Sequence, residues 1–349
     1  MWYMNKGRDN DVAVSTRVRL ARNLNGYPFD GRLTEDKAKE IIENVWAVFE
    51  GKPGWTFTDF AALPAVERAS YAERHIVSPD FAKKTGPCAL ISNEEASVYI
   101  MVLEEDHIRM QAITAGFDLT GAMNAVTEAE KMLDEVLDIA YSEKLGYLTH
   151  CPTNLGTGMR ASVMLHLPAY TGAGGMRNLQ NQLEKLGLIL RGMAGEGSAA
   201  SGGLYQISNQ ITLGITEEET IAKLEDVIGQ IIAKERELRG RIRRESLDAL
   251  SDRVMRGMGV MMYATRIGSA ELISLYADLR LGAALNLIDL PAEKLDEMLM
   301  RCMPNTICAE HAKKTAQSGA MGPAERDRAR AAVVKEILGK KNSADGEGI

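Results

Sequence analysis

The sequence predicts an α+β protein: an antiparallel sheet flanked by helices, followed by an all-helical C-terminal region. Two observations carry that prediction. Strand-like apolar runs come in neighbouring pairs instead of alternating one by one with helices, which favours antiparallel pairing over a doubly wound sheet. From about Arg244 onward the strands stop, and helical runs follow one another with short connections. The chain therefore reads as two domains, 1–244 and 245–349, with the boundary near residues 240 to 250.

The elements follow in order. Thr34 to Glu50 is an amphipathic helix, with Ala38, Ile41, Ile42, Val45, Val48 and Phe49 on one face. Ser97 to Leu103 and Ile108 to Ile113 are strands, separated by the acidic Glu104, Glu105 and Asp106. Thr127 to Tyr141 reads as a helix that turns Met132, Leu133, Val136, Leu137 and Ala140 inward. Tyr147 to His150, Ser162 to Leu167, Leu186 to Leu190 and Leu204 to Ser208 read as strands. The last is expected to pair with Ile211 to Gly214 through an Asn209-Gln210 turn. Thr216 and Glu219 form a capping box ahead of a long helix carrying Ile221, Leu224, Ile228, Ile231, Ile232 and Leu238. Leu247 to Tyr263, Ser269 to Leu285, Pro291 to Cys302 and Pro323 to Leu338 are the C-terminal helices. Met255, Met258, Met261 and Met262 read either as core or as a homodimer surface.

Composition narrows the class. With 349 residues, 45% hydrophobic and 26% charged, the chain is that of a globular protein with a sizeable core. No run of eighteen apolar residues and no signal-like N-terminal segment is present, so neither a membrane span nor a secreted protein is expected. The net charge of −7 argues against general nucleic-acid or membrane-surface binding. The basic run Lys234 to Arg244 is interleaved with Glu235 and Glu237 and reads as an exposed helix face. The cysteines Cys88, Cys151, Cys302 and Cys308 are expected to be reduced. Cys302, Cys308 and His311 match no zinc spacing and lack a fourth ligand, so no metal site is expected.

The chemistry concentrates in four arginine-bearing segments: STRVRLARN (Ser15 to Asn23), EEDHIR (Glu104 to Arg109), CPTNLGTGMR (Cys151 to Arg160) and RGMAGEGSAASGG (Arg191 to Gly203). A lone arginine is ordinarily a surface ion pair. Arg17, Arg19, Arg109, Arg160 and Arg191 each read at a strand end or in a loop next to a strand, where planar, permanently charged forks suit phosphate clamping. No P-loop and no protein-kinase signature is present. The glycine-rich Gly192 to Gly203 segment reads as a lid over a nucleotide. Glu105 and Glu196 are the carboxylates of interest, although Glu104 and Asp106 flank the first. An environment of five arginines favours the thiolate form of Cys151.

These motifs, with GG-x-Y-x-ISN after them, resemble those of the ATP:guanidino phosphotransferases, the phosphagen kinase family, in the family's own order and over roughly residues 12 to 240. The resemblance implies Mg2+ and ATP as cofactors, with Arg17, Arg19, Arg109, Arg160, Arg191 and His75 around the nucleotide. It implies Glu105 and Glu196 holding a guanidinium, with Cys151 beside it. Because STRVR begins at Ser15, the chain is expected to lack the helical domain that precedes this motif in small-molecule phosphagen kinases. The helical C-terminal region is a further departure. Both features are similar to the bacterial protein-arginine kinases, whose RDxxRA phosphoarginine-recognition motif appears as Arg326-Asp327-Arg328-Ala329-Arg330-Ala331. Leu103 and Ser201 depart from the common family pattern, and altered packing is expected there. The implied activity is phosphorylation of arginine side chains in proteins. A kinase of free arginine and a phosphoarginine-binding adaptor are the alternatives. The implied setting is bacterial, cytoplasmic stress response and protein quality control. The implied partners are protein substrates with exposed arginines, a zinc-containing activator, a repressor substrate and a Clp protease.

Overall fold

A computed structural model describes residues 1–95, 97–192, 201–315 and 321–339. The first half is built from β1 (Ala13–Arg22), α1 (Glu35–Phe49), β2 (Trp55–Asp59), α2 (Ala65–Glu73), α3 (Pro79–Lys83), β3 (Ala89–Asn93), β4 (Val98–Val102), β5 (Ile108–Ala115) and α4 (Leu119–Asp134). Then come β6 (Tyr141–Ser142), β7 (Gly146–Tyr147), β8 (Met159–His166), α5 (Pro168–Gly172), α6 (Met176–Lys185), β9 (Leu188–Gly192), β10 (Leu204–Asn209) and α7 (Glu217–Glu245). Five more helices follow among the described residues: α8 (Leu247–Tyr263), α9 (Ser269–Ala284), α10 (Ala292–Arg301), α11 (Pro304–Thr315) and α12 (Pro323–Ile337).

Eight strands form one sheet in the order β2-β3-β4-β5-β1-β8-β10-β9, and every neighbouring pair is antiparallel. Strand alternation divides its faces. Val18 and Leu20, Met110 and Ala112, Ala161 and Val163, and Ile207 point to one face, into a core shared with α1, α4, α6 and α7. The opposite face is graded along its length. On β5 it reads Arg109, Gln111, Ile113; on β8 it reads Arg160, Ser162, Met164, His166. On β1, which runs the other way, it reads Arg19, Arg17 and then, past a register shift, Val14. The apolar end of this face is covered: Val14, Ile113, Met164 and Leu204 share a second core with Leu250, Val254, Tyr276, Leu279 and Met298 of the C-terminal helices. The arginine end is left open.

Buried polar bonds fasten the helices to the sheet. Glu235 accepts the Ala169 and Tyr170 amides at 3.1 and 2.8 Å and pairs with Arg239 at 2.7 Å. Arg239 in turn donates to His166 O and Asp11 O. Glu235 and Arg239 are thus interior, and the basic run is not wholly the exposed face its charge pattern suggested. Arg280 joins Asp296 to the Asn10 and Asp11 carbonyls.

Several elements differ from the sequence reading. α4 begins at Leu119, eight residues before the expected Thr127, because the Asp118 side chain caps the Gly121 amide at 2.9 Å. It ends at Asp134, which leaves Val136 68% exposed. Tyr147 to His150 is not a strand beyond Tyr147. Leu148 and His150 are held by buried Asn23 and Asp106 in place of a ladder. β10 does not pair with Ile211 to Gly214, since β8 and β9 occupy both its edges. The Asn209 amide instead ties Met159 O, Ala161 N and Ile211 O together. The capping box of α7 forms as expected, with Thr216 Oγ1 and Glu219 exchanging bonds of 3.1 and 2.9 Å. Of the four methionines, Met261 is core and Met255 is half exposed.

Candidate active site

The open end of the graded face is the floor of a cleft of about 1000 Å³, lined by Arg17, Arg19, Arg109, Arg160, Arg191, His75, Glu104 and Glu105 among others. Cross-strand register explains the clustering. Arg19 lies opposite Arg160, and Gln206 lies opposite Arg191, so four strands present their cations to one space. Arg160 Nη2 donates to Ser208 Oγ at 3.1 Å, which turns its fork toward the cleft.

This much positive charge in a partly dry space is costly. Burial, then the neighbouring Arg109 and Arg160, pushes the Arg17 guanidinium down to about 10, and Arg19 is lowered by burial and the same neighbours with Arg17. One acidic group answers directly. Glu104 Oε1 accepts from Arg109 Nη1 at 2.7 Å and from Ser78 Oγ at 2.5 Å, while its Oε2 accepts the Glu105 amide at 2.8 Å. Burial pushes the Glu104 carboxyl up, but Arg109 and these hydrogen bonds outweigh it and hold it below the ordinary value. Glu104 is therefore committed as a counter-ion, and Glu105 is the neighbour left facing the cleft.

His75 stands at the other wall with a left-handed backbone, φ 61°. Gln111 donates to the carbonyls of His75 and Ile76 and fixes this corner. Burial, then Arg17 and Arg19, lowers the imidazole to about 4, so it is neutral near pH 7.

Cys151 follows directly on His150, whose Nδ1 is 3.7 Å from Glu105 Oε1. The thiol sits 3.0 Å from Thr153 Oγ1, beside the Glu105 end of the cleft and not in its floor. The glycines after it are obligatory. Gly156 has φ +100°, and a Cβ there would lie 2.0 Å from Thr212 O. The loop thus lies flat against the Thr212 strap. Glu196 falls outside the described residues.

The C-terminal motif is split. Arg330 is 1% exposed and bonds Cys302 O, Ile267 O, Asp327 and Ser269 Oγ, so its donors are committed inside the fold. Arg326 instead lines a cavity of about 580 Å³ between α2 and α11, with Glu67, Asn305 and Lys313. Ser78, Gln111 and Asp106 carry roles that sequence reasoning did not assign. The only hint was the position of Asp106 inside EEDHIR.

Among the described residues no group of three His, Cys, Asp or Glu side chains could hold a metal ion, and no helix is long and apolar enough to cross a membrane. A floor of five arginines beside the cleft-lining Glu105 is the arrangement of a phosphotransferase site. Residues 37–238 match the profile of the ATP:guanido phosphotransferase C-terminal catalytic domain, and residues 247–348 match that of the protein-arginine kinase McsB C-terminal domain. The chain belongs to the ATP:guanido phosphotransferase family, in its protein-arginine kinase branch. The protein-arginine kinase of Caldanaerobacter subterraneus subsp. tengcongensis is 39% identical, with 95% of this chain and 98% of that one covered. The protein-arginine kinase of Bacillus velezensis is 38% identical, over 99% and 94%. Lombricine kinase shares the fold at a TM-score of 0.56 and 24% identity, over 66% of this chain and 67% of its own. The substrate-free duplicated taurocyamine kinase of Schistosoma mansoni matches at 0.59 and 23%, over 77% of this chain and 40% of its own.

Proposed function

We propose that this chain moves the γ-phosphoryl group of ATP to the guanidinium of arginine side chains in proteins. The observation that carries the reading is the five-arginine floor with Glu105 at its end. The arginines bind the nucleotide phosphates and take up the charge that develops as the β,γ-bridging P–O bond breaks. Neutral His75 packs at the nucleotide side without adding a sixth cation.

The acceptor presents the opposite problem. A guanidinium holds its proton to a pH above about 12 and has no free lone pair. Glu105 binds it as the counter-ion, orients one Nη toward phosphorus and takes its proton as the N–P bond forms. Glu196 is the second candidate carboxylate, and Cys151 stands beside the same group. Mg2+ finds no protein cage among the described residues. It would enter with ATP as part of the substrate and would offset phosphate charge. In the C-terminal region, recognition of phosphoarginine falls to Arg326 and Asp327, with Arg330 as the buried strut beneath them.

The test offers Mg-ATP with an arginine-rich protein and with free arginine in parallel, read by phosphorus NMR and by mass spectrometry at non-acidic pH. Phosphoarginine in protein alone is expected, and Glu105→Gln lowers its rate by about 10²- to 10⁴-fold. Phosphorylation of free arginine alone overturns the choice of acceptor. An E105Q variant with full activity overturns the role of Glu105.

A further inference from the structure

Three chain segments meet at the Glu105 end of the cleft, and one buried hub joins them. Asp106 is 2% exposed, and its Oδ1 accepts Asn23 Nδ2 and the His150 amide, both at 2.7 Å. Asn23 Oδ1 accepts the His107 amide at 2.9 Å, and Asn23 Nδ2 also donates to Leu148 O. His107 Nδ1 accepts the Leu24 amide, so its Nε2 carries the proton and donates to Pro28 O at 2.9 Å. Three of the hub's ends adjoin the side chains of interest: Pro28 precedes Phe29, Asp106 follows the cleft-lining Glu105, and the His150 amide is itself bonded.

The side chains so placed touch one another. The Phe29 and His150 rings are 5.4 Å apart at 58°, and His150 Nδ1 is 3.7 Å from Glu105 Oε1. Glu104 cannot share this work, since Arg109 and Ser78 occupy it. An acceptor cation entering beside five arginines depends on where the Glu105 carboxylate points.

We propose that His150, held against Phe29, is a positioning residue that orients Glu105 toward the acceptor guanidinium, and that the Phe29–His150 pair forms the wall along which the acceptor arginine lies. The inference rests on the function proposed above. An aromatic wall beside a carboxylate suits a guanidinium, which stacks on rings as well as pairing with acids.

The experiment measures KM for an arginine-rich acceptor protein and for ATP separately, with kcat, in the full chain and its variants. His150→Ala lowers kcat/KM for the acceptor about two- to fivefold, the scale of a half-exposed ion-pair contact, and leaves KM for ATP unchanged. His150→Asn keeps a donor where Nδ1 was and restores most of the loss, while Phe29→Ala behaves like His150→Ala. Acceptor binding to E105Q loses less on His150→Ala than acceptor binding to the wild type does, because only the wall contact is left to lose. An unchanged acceptor kcat/KM in H150A, no rescue by asparagine, or an equal change in KM for ATP overturns the assignment. A wild-type chain that phosphorylates no protein overturns the proposed function itself, and this inference with it.

Discussion

Glu73 Oε2 accepts both the amide and the hydroxyl of Thr306, at 2.8 and 3.0 Å. Its Oε1 accepts the amide and side chain of Asn305 at 2.9 and 2.7 Å. A carboxylate at the end of α2 thus caps α11 across 233 residues of chain and lies two residues before His75. Glu73→Ala should cost about 1–3 kcal/mol, the range for a lost cap with charge-assisted bonds. Chemical denaturation checks the magnitude, and hydrogen exchange should quicken first in the opening turn of α11.

The empty cleft is an electrostatic burden. Arg17 is lowered to about 10 by burial and its arginine neighbours, so its charged form opposes folding at neutral pH. Arg17→Met should raise the melting temperature of the nucleotide-free protein by a few degrees, for a gain of about 1–2 kcal/mol. The same variant should lose most of the thermal shift that ADP gives the wild type. A lower melting temperature in the empty variant would contradict this account.

Acid should weaken the fold through two groups of the cleft. His75 is depressed from 6.5 to about 4, so between those values the unfolded chain binds a proton that the folded chain refuses. Stability therefore falls as pH falls through that window. Glu104 is also depressed, and its contribution is lost as pH falls below its ordinary 4.5. His75→Gln should flatten the stability profile between pH 6.5 and 4 and leave the steeper loss below it, as followed by denaturation at fixed pH.

Gly156→Ala places a methyl group 2.0 Å from Thr212 O at φ +100°. The strap carrying Thr212, or the loop from Cys151, has to move. We expect a loss of about 2–3 kcal/mol and a larger loss of activity than of nucleotide binding, because Arg160 lies on β8 beyond the bend. Thermal unfolding and ADP titration separate the two.

Much of this was legible in the sequence. Arg17, Arg19, Arg109, Arg160 and Arg191 were readable because arginines beside strands suit phosphate clamping and sit in motifs that resemble those of the phosphagen kinases. The hub of Asn23, Asp106 and His107 was not, because its members lie 83 and 84 residues apart and none belongs to a periodic pattern. The start of α4 was hidden by Gly121, whose helix-breaking tendency the Asp118 cap offsets. Glu235 was misjudged because a glutamate among arginines looks solvated until Arg239 and two backbone amides enclose it. Leu103 departs from the family pattern and proves to be buried with φ 63°, a conformation that disfavours leucine by about 1–2 kcal/mol. Leu103→Asn would relieve that strain, but it would remove a core side chain whose loss costs about 2–5 kcal/mol, so a net loss is expected.

The sheet face that ends in arginines begins in Val14, Ile113, Met164 and Leu204. A shortened chain stopping at Glu245 would keep every described catalytic candidate yet bare those four side chains to water. Such a fragment should be recovered from cells as aggregate, or only with a solubilising companion. A protease cut between α7 and α8 should leave two pieces that stay together until denaturant is added.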